Sequence, residues 1–315
     1  MLPTLADVHS AADVLRGVAT VTPLLCCAKL DGVTGGKLRV KAECLQRFGA
    51  FKFRGAYHKI AKLAPEVRAR GVIAFSSGNH AGAVAAAARM FGIPAVVVMP
   101  SDAPRVKIEA VKERGAELVL YDRLRDDREA IGKRLAEERG LALVKPFDDA
   151  EIIAGQGTMG LEIAAELTPD LVLVPASGGG LVAGIALALP QSKVYAVEPE
   201  GHADIARSLA TGTIQKNEPG VRSFCDALMA ERMGELPFAI ARTHLAGALA
   251  ISDAAVRNAM RFAFRYLRLV LEPGGAIALA AALEGAVDLK GKSAVIVASG
   301  GNVDPELFAR VLIGD

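Results

Sequence analysis

Tryptophan is absent from this chain of 315 residues, and aromatic residues make up only 5% of it. Cysteine is also scarce: the four cysteines are Cys26, Cys27, Cys44 and Cys225. Two of them are adjacent, and none has the paired spacing of metal ligands. This pattern argues against a disulfide framework and against a thiolate zinc site, so we expect ordinary buried thiols.

No charge of one sign dominates, because 37 basic and 35 acidic residues are interspersed and give a formal net charge of +2. This balance argues against a basic surface for nucleic acid or for an anionic membrane. The amino-terminal residues lack a basic region followed by an apolar core, and no apolar run reaches the ~20 residues that a membrane span requires. We therefore expect a cytoplasmic protein with a small-molecule partner and with no nucleic-acid or membrane partner.

Hydrophobic residues, at 52% of the chain, suffice for two cores in adjoining domains. Strand and helix patterns alternate, as is typical of parallel sheets. The predicted strands are 38–42, 72–75, 95–99, 118–120, 142–144, 171–174, 194–197, 249–251 and 294–298, and the predicted helices are 5–17, 81–91, 106–114, 126–139, 157–167, 181–189, 205–209, 254–266, 276–283 and 305–313. We predict an α/β fold with two doubly wound parallel-sheet domains, a large one of residues 1–68 and 147–315 and a small one of residues 69–146, with the active site between them.

Lys52 stands between Phe51 and Phe53, just before a helical run that starts at Tyr57. An ammonium group between aromatic rings is partly desolvated, which lowers its pKa and makes a neutral amine available to attack a carbonyl. The alternative is a lysine that opens an amphipathic helix and extends its head group to water. The turns at the strand ends favour the nucleophile.

Ligands of doubly wound sheets bind outside the carboxyl ends of the strands. The first predicted turn at such an end is Ser76-Ser77-Gly78-Asn79-His80. Its serines and the free amides of the helix that follows could bind an anion such as a carboxylate, and Asn79 adds a neutral donor. An ordinary capped turn is the alternative.

The second turn, Ser177-Gly178-Gly179-Gly180-Leu181, exposes main-chain amides at a helix start and could cradle a phosphate. It is neither a dinucleotide fingerprint nor a nucleoside-triphosphate loop, which argues against a dinucleotide-dependent oxidoreductase and against use of a nucleoside triphosphate. The third turn begins at Ser299, whose hydroxyl could bond an unprotonated ring nitrogen. Either glycine-rich turn could instead serve tight packing alone.

An amine nucleophile, a carboxylate pocket, a phosphate cradle and a partner for a ring nitrogen are together what pyridoxal phosphate requires when it handles an amino acid. The same residues carry a family resemblance. The chain resembles the fold type II pyridoxal-phosphate enzymes, which share the fold of the tryptophan synthase β subunit, and within them the serine/threonine dehydratases and serine racemases. The matching segments, in family order over nearly the whole chain, are 41–46, 51–56, 76–81, 155–158, 177–181, 272–276 and 299–304.

The resemblance implies a role for each residue of these segments. Lys52 is the lysine that forms the Schiff base with the cofactor and then removes the substrate Cα proton. The cofactor contacts that it implies are Phe51 on the ring, Asn79 on the phenolic oxygen, Ser177, Gly178, Gly179, Gly180 and Leu181 on the phosphate, and Ser299 on the pyridine nitrogen. The substrate contacts that it implies are Ser76, Ser77, Asn79 and His80.

Ser77 is treated as a second catalytic candidate. In the related racemases this position supplies the acid or base on the opposite face of the cofactor, but serine also occurs there in dehydratases. Ser77 therefore permits racemisation without establishing it. A neutral serine at position 299, rather than an acid, weakens the electron sink and favours prompt loss of a β-hydroxyl.

A metal site is a further expectation. Glu198, Asp204 and the carbonyl of His202 match the spacing by which some relatives hold Mg²⁺ or Ca²⁺ through oxygen ligands. The alternative is a capped strand exit with solvated acids.

The sequence predicts a threonine and serine ammonia-lyase that produces a 2-oxo acid and ammonia. The alternatives are serine racemase and threo-3-hydroxyaspartate dehydratase, which needs a cation such as Arg54 or another basic residue for the second carboxylate. A non-catalytic binding protein is the alternative from another class, and the intact Lys52 argues against it. After Asp304 only one short helix is expected, which suits a catabolic enzyme without a regulatory domain, and family habit suggests a homodimer.

Overall fold

The structure is a computed structural model that describes residues 1–76, 78–102, 105–122 and 125–314. Its strands are β1 (Leu24–Cys26), β2 (Lys37–Lys41), β3 (Val72–Phe75), β4 (Ala95–Pro100), β5 (Glu117–Tyr121), β6 (Ala142–Leu143), β7 (Leu171–Pro175), β8 (Lys193–Pro199), β9 (Leu245–Ile251) and β10 (Ser293–Val297). Its α-helices are α1 (Leu5–Leu15), α2 (Ala28–Thr34), α3 (Lys52–Ala61), α4 (Pro65–Arg70), α5 (Asn79–Phe91), α6 (Arg105–Glu113), α7 (Arg128–Arg139), α8 (Ala150–Glu166), α9 (Gly180–Ala188), α10 (Asp204–Thr211), α11 (Glu235–His244), α12 (Asp253–Phe262), α13 (Pro273–Leu283) and α14 (Pro305–Ile313).

The strands form two sheets. The larger has six strands in the order β1-β2-β10-β7-β8-β9, and the smaller has four in the order β5-β4-β3-β6. Every pairing is parallel except that of β1 with β2, which is antiparallel. The predicted α/β class with parallel-sheet domains is confirmed. The strands of the smaller sheet lie between residues 72 and 143, while the domain limits given above stay a prediction.

Helices cover both sheets on both faces, so the central strands are apolar along their whole length. All six residues of β4 and all five of β7 are buried, as expected of strands without a solvent face. Among the described residues, no helix covers the carboxyl ends of β3, β7 and β10, which border the space between the two sheets. These ends carry the three turns that the sequence singled out.

Helix α8 begins earlier than predicted, because the sequence suggested residue 157 and the helix starts at Ala150. Asp149 accepts the main-chain N–H groups of residues 151 and 152 and so caps it. Gly155 and Gly157 therefore lie inside the helix. A Cβ at Gly155 would be 2.7 Å from the Cα of Gly55, and one at Gly157 would be 2.7 Å from the carbonyl oxygen of Gly184. These glycines allow α3 and α9 each to pack closely against α8. Such contacts between distant segments cannot be read from a local sequence pattern.

The predicted helix 254–266 is an α-helix only in its first part. Helix α12 ends at Phe262, and a π-helical turn Ala263–Leu267 follows and ends at Arg268, whose φ is 59°. Helices α2, α4 and α11 were not predicted. Pro237 lies in the first turn of α11, where a missing N–H costs no hydrogen bond. In the part of the chain that is described, none of the helices combines the length and the apolar character that a membrane crossing demands.

Candidate active site

A cavity of about 210 Å³ lies between the two sheets, at the carboxyl ends of β3, β7 and β10. All three predicted turns and the start of α3 contribute to its wall. The predicted residues that line it are Phe51, Lys52, Ser76, Asn79, His80, Ser177, Gly178, Gly179, Gly180, Leu181 and Ser299. Ser77 lies outside the described residues. The fold thus brings these side chains together from segments that are up to 248 positions apart, from residue 51 to residue 299.

Lys52 is the first residue of α3. Its Nζ donates to the carbonyl oxygen of Pro146 at 2.6 Å and lies 5.1 Å from the centre of the Phe51 ring. Burial lowers the pKa of the Lys52 amine from 10.5 to about 8. The chain is fixed here because the N–H of Phe51 donates to the carbonyl of Ser299 at 3.1 Å. This hydrogen bond joins the start of α3 to the turn after β10. It therefore fixes the position of the Lys52 main chain relative to Ser299.

The glycine loop leads from β7 into α9. Gly179 has a φ of 90°, in the left-handed region that glycine adopts without strain. A Cβ at Gly178 would lie 2.2 Å from the Phe147 ring, and one at Gly179 would lie 2.4 Å from the Met233 methyl. Only glycines fit between these neighbours. The amides at the start of α9 consequently face the cavity without side chains in front of them, which makes them a suitable anion site.

The Ser177 hydroxyl is engaged with the opposite wall of the cavity. Its Oγ accepts the main-chain N–H of Ala230 at 3.0 Å. The segment 226–230 lines the cavity as well. Ser177 therefore joins the glycine loop to this segment, and its hydroxyl hydrogen remains available for an acceptor.

The turn after β3 leads into α5. The Ser76 hydroxyl accepts the N–H of Gly78 at 3.2 Å, and Asn79 is the first residue of the helix. The Asn79 carboxamide bonds Glu272 and Asn302, which come from far along the chain. Both Ser76 and the first-turn amides of α5 face the cavity. An anion can be bound here by the helix start.

The ring of His80 offers a carboxylate no donor. Its Nε2 lies 2.8 Å from the carbonyl oxygen of Val144, so Nε2 carries the hydrogen and Nδ1 is left as an acceptor. Nδ1 has no hydrogen-bond partner among the described residues. Burial, and then the charge of Lys52, lower the pKa of His80 to about 3, so the ring is neutral. A substrate contact at His80 would have to come from its main-chain N–H.

Arg54 is not part of the cavity wall. It is 1% exposed and lies behind Lys52, where its guanidinium bonds Glu43 at 2.7 and 2.8 Å and Glu162 at 2.6 and 2.9 Å. Lys41 completes the cluster with a 2.5 Å contact to Glu162. The suggestion that Arg54 binds a second substrate carboxylate is therefore wrong. The buried carboxylate of Glu43 and the partly buried carboxylate of Glu162 already occupy its donors.

Sequence reasoning missed several residues of the cavity wall. Arg128, the first residue of α7, lines the cavity with an exposed side chain, and its Cζ lies 5.9 Å from the centre of the Phe75 ring. Glu272 and Phe147 also line it. Arg128 lies at the start of α7, a helix that packs on the smaller sheet, just as Asn79 lies at the start of α5. A basic residue at such a helix start is the sequence signal that could have identified it.

The two acids of the predicted cation site are buried at the end of β8 and the start of α10. Both oxygens of Glu198 accept N–H groups from the first turn of α10, at 2.9 and 3.0 Å. Asp204 accepts the side chain of Asn217 at 2.7 Å and the N–H of Met233 at 2.8 Å. Burial raises the pKa of Glu198 to about 8 and that of Asp204 to about 6.

The described residues contain no group of three His, Cys, Asp or Glu side chains suited to a metal ion. A cation beside Glu198 and Asp204 would therefore depend on main-chain oxygens, such as the predicted carbonyl of His202. The cation site stays a prediction.

Comparison with curated proteins finds relatives over the full length. The chain is 40% identical to an L-threo-3-hydroxyaspartate ammonia-lyase of Saccharomyces cerevisiae, over 100% of this chain and 98% of that protein. It is 39% identical to an L-threonine ammonia-lyase of Thermotoga maritima, over 98% of this chain and 78% of that protein. Among solved structures, maize serine racemase superposes with a TM-score of 0.94 at 36% identity, over 99% of this chain and 98% of that one.

The family model described as "Pyridoxal-phosphate dependent enzyme" matches residues 15–300. This range includes Lys52, the glycine loop and Ser299. The two curated relatives named above are ammonia-lyases that match by sequence, and the serine racemase matches the fold over 99% of this chain. The chain therefore belongs to the fold type II family of pyridoxal-phosphate-dependent enzymes.

Proposed function

We propose that this chain is an ammonia-lyase that removes water from L-threonine, and also from L-serine, and releases a 2-oxo acid and ammonia. One observation carries the proposal: the Lys52 amine, with its pKa lowered to about 8, lies in the same cavity as Ser299. A lysine that is partly neutral near physiological pH can accept a Cα proton. A serine at the ring nitrogen provides a weaker electron sink than an acid, which favours loss of the β-hydroxyl.

The residues present fit the cofactor. Gly178 and Gly179 leave a cradle that a Cβ would fill, and the amides of α9 open onto it. Pyridoxal phosphate, when bound, supplies an electron sink for the charge that develops at the substrate Cα. We assign its phosphate to the glycine loop with Ser177, its phenolic oxygen to Asn79 and its ring nitrogen to Ser299.

The chain's own groups then account for binding and proton transfer. The first-turn amides of α5, together with Ser76, orient the substrate carboxylate. Nζ of Lys52 takes the Cα proton, and burial leaves this atom partly neutral at a pH where an exposed lysine is almost fully charged. The Pro146 carbonyl, 2.6 Å from Nζ, holds the amine at the cavity wall.

Threo-3-hydroxyaspartate is the second candidate substrate, and Arg128 is the observation that favours it. This cation lines the cavity and is exposed, so it can pair with the second carboxylate of such a substrate. The relative from Saccharomyces cerevisiae is named for this substrate. Racemisation remains an alternative that depends on Ser77.

The experiment is a spectrum of the purified protein followed by assays of 2-oxo acid release from L-threonine, L-serine, D-serine and threo-3-hydroxyaspartate. We expect cofactor absorbance and 2-oxobutyrate from threonine, both lost in Lys52→Ala. A colourless protein that releases nothing even with added pyridoxal phosphate would overturn the proposal. It would favour a binding protein instead.

Arg128→Gln separates the substrates. A charge-assisted hydrogen bond is worth about 1.5–3 kcal/mol, so we expect kcat/KM for threo-3-hydroxyaspartate to fall about tenfold to a hundredfold while that for threonine is retained. Arg134→Gln is the matched control, because Arg134 lies on the same helix and pairs with Glu138 at 3.2 Å. Equal losses for both substrates would argue against a selective role.

We also propose a homodimer. Five large apolar side chains are between 37% and 53% exposed, and we call them the dimer patch: Leu45, Phe48, Phe264, Tyr266 and Val270. The main chain of Phe48 and Val270 contacts the turn after β10. Exposed apolar patches of this kind mark interaction surfaces. Val270→Asp is expected to give a monomer in sedimentation. A wild-type protein that sediments as a monomer would contradict this.

Cytoplasmic location, the domain limits and a cation at Glu198 and Asp204 are proposals as well. The four cysteines are free thiols, including the adjacent Cys26 and Cys27, which supports a reducing compartment. Fractionation of cells that express the protein tests the location, and recovery of the thiols as disulfides would contradict it.

A further inference from the structure

The Asn79 carboxamide is held at both of its ends. Its Nδ2 donates to Oε1 of Glu272 at 2.5 Å, and its Oδ1 accepts Nδ2 of Asn302 at 2.8 Å. Asn302 also donates from the same Nδ2 to the carbonyl oxygen of Phe48, at 2.9 Å. A chain of hydrogen bonds therefore runs from the main chain at Phe48 to the cavity wall at Glu272.

The donors and acceptors in this chain allow one arrangement. A main-chain carbonyl only accepts, so Asn302 must present its NH2 group to Phe48. Its second hydrogen then goes to Asn79, which must present its oxygen to Asn302. The NH2 group of Asn79 is left facing Oε1 of Glu272, which accepts one of its hydrogens. A flipped Asn79 would bring its NH2 group against that of Asn302 and turn this contact into a repulsion.

Burial and a main-chain hydrogen bond hold Glu272 in its position. It is 5% exposed, and its main-chain N–H donates to the carbonyl of Gly300 at 3.1 Å. A Cβ at Gly300 would lie only 2.0 Å from Oε1 of Glu272. The absence of a side chain at Gly300 is therefore what lets this carboxylate reach Asn79.

We infer that Glu272 and Asn302 are positioning residues that fix the Asn79 carboxamide with one N–H directed at the phenolic oxygen of pyridoxal phosphate. The inference rests on the proposed function, because it takes the cofactor ring to lie beside Asn79. One hydrogen of Nδ2 goes to Glu272, and the second remains for an acceptor in the cavity. A donor fixed in this way favours the ionised form of that oxygen.

Glu272→Gln is the first test, because glutamine has the same shape and tolerates either orientation of Asn79. We expect the affinity for pyridoxal phosphate to fall about tenfold to a hundredfold, the range for a hydrogen bond to a charged group. The absorbance of the bound cofactor should shift toward the un-ionised phenol. Asp31→Asn is the control, since Asp31 accepts the N–H of Leu38 at 2.8 Å at the far end of β2.

Asn302→Asp is the second test, and its exposed position leaves folding intact. It replaces the donor by an acceptor and so favours the flipped Asn79. We expect the same spectral shift and a weaker cofactor complex. Asn258→Asp, also exposed, controls for the added charge.

A merely structural role would lower the unfolding midpoint without moving the cofactor spectrum. Wild-type affinity and spectrum in both variants would therefore show that the inference is wrong. The proposed function would stand in that case, because it is judged on the wild-type protein's own cofactor spectrum and 2-oxo acid release.

Discussion

Removal of the Arg54 guanidinium should destabilise the fold without changing substrate recognition. In Arg54→Met the carboxylate of Glu43, which is 0% exposed, keeps the hydrogen bond from the Thr22 hydroxyl and the charge of Lys41 but loses its guanidinium partner. Glu162 is 17% exposed and keeps Lys41. The unpaired charge is therefore mainly that of Glu43. Breaking a buried ion pair in this way costs about 3–5 kcal/mol.

The cost should depend on pH. Burial alone would raise the pKa of Glu43, but the charge and hydrogen bonds of Arg54, with smaller contributions from Thr22 and Lys41, together outweigh it and hold the pKa below its ordinary 4.5. The wild-type carboxylate thus contributes stability above pH 4.5, and this is lost as the pH falls through its folded pKa. In the variant the pKa of Glu43 rises, because only the hydrogen bond from Thr22 and the charge of Lys41 still oppose the effect of burial. Protonation then relieves the penalty as the solution is acidified.

Urea unfolding at neutral pH and near pH 4 measures both effects. We expect the free energy of unfolding of Arg54→Met to lie about 3–5 kcal/mol below wild type at neutral pH, with a smaller gap at acid pH. The double variant Arg54→Met with Glu43→Gln should recover much of the loss, since no buried charge is stranded. KM for threo-3-hydroxyaspartate should be unchanged. A loss that is independent of pH, or a selective rise in that KM, would refute the reasoning.

Three further predictions concern the cofactor and the cation. The rate at which the apoenzyme binds pyridoxal phosphate covalently should rise with pH and be half-maximal near pH 8, because burial lowers the pKa of Lys52 to about 8 and only the neutral amine attacks the aldehyde. Stopped-flow absorbance measures this rate, and a midpoint near pH 10.5 would contradict the prediction. Gly178→Ala should weaken cofactor binding about fivefold to a hundredfold in a fluorescence titration, because overpacking costs about 1–3 kcal/mol. Gly82→Ala, with nothing within 4 Å of its Cβ, should not weaken it. Mg²⁺ or Ca²⁺ at about 100 times its dissociation constant should stabilise the wild type by about 2.7 kcal/mol and Glu198→Gln not at all; equal thermal shifts would contradict a site there.

Much of the fold followed from short, contiguous signals. Parallel strands such as β4 and β7 are apolar throughout because helices cover both faces, and the turns after them need glycine or serine for local reasons. These signals lie within a few residues of one another, so a single sequence contains them. The helix start at Ala150 was missed because Gly157 resembles a helix boundary, while its true partner is the carbonyl of Gly184 on a neighbouring helix.

The site divides in the same way. The sequence by itself predicted that Lys52, the glycine loop and Ser299 belong to one pyridoxal-phosphate centre, because the motifs taken together meet the requirements of that cofactor; the structure brings all three to one cavity. Only the tertiary structure decided the partners of Arg54 and the place of Arg128 in the cavity wall. It also decided the hydrogen bonds by which Glu272 and Asn302 hold the Asn79 carboxamide. Glu162 is 108 positions from Arg54, and Asn302 is 223 from Asn79. A charged or amide group bonds whichever complementary group packing brings within about 3 Å, and packing depends on the whole chain.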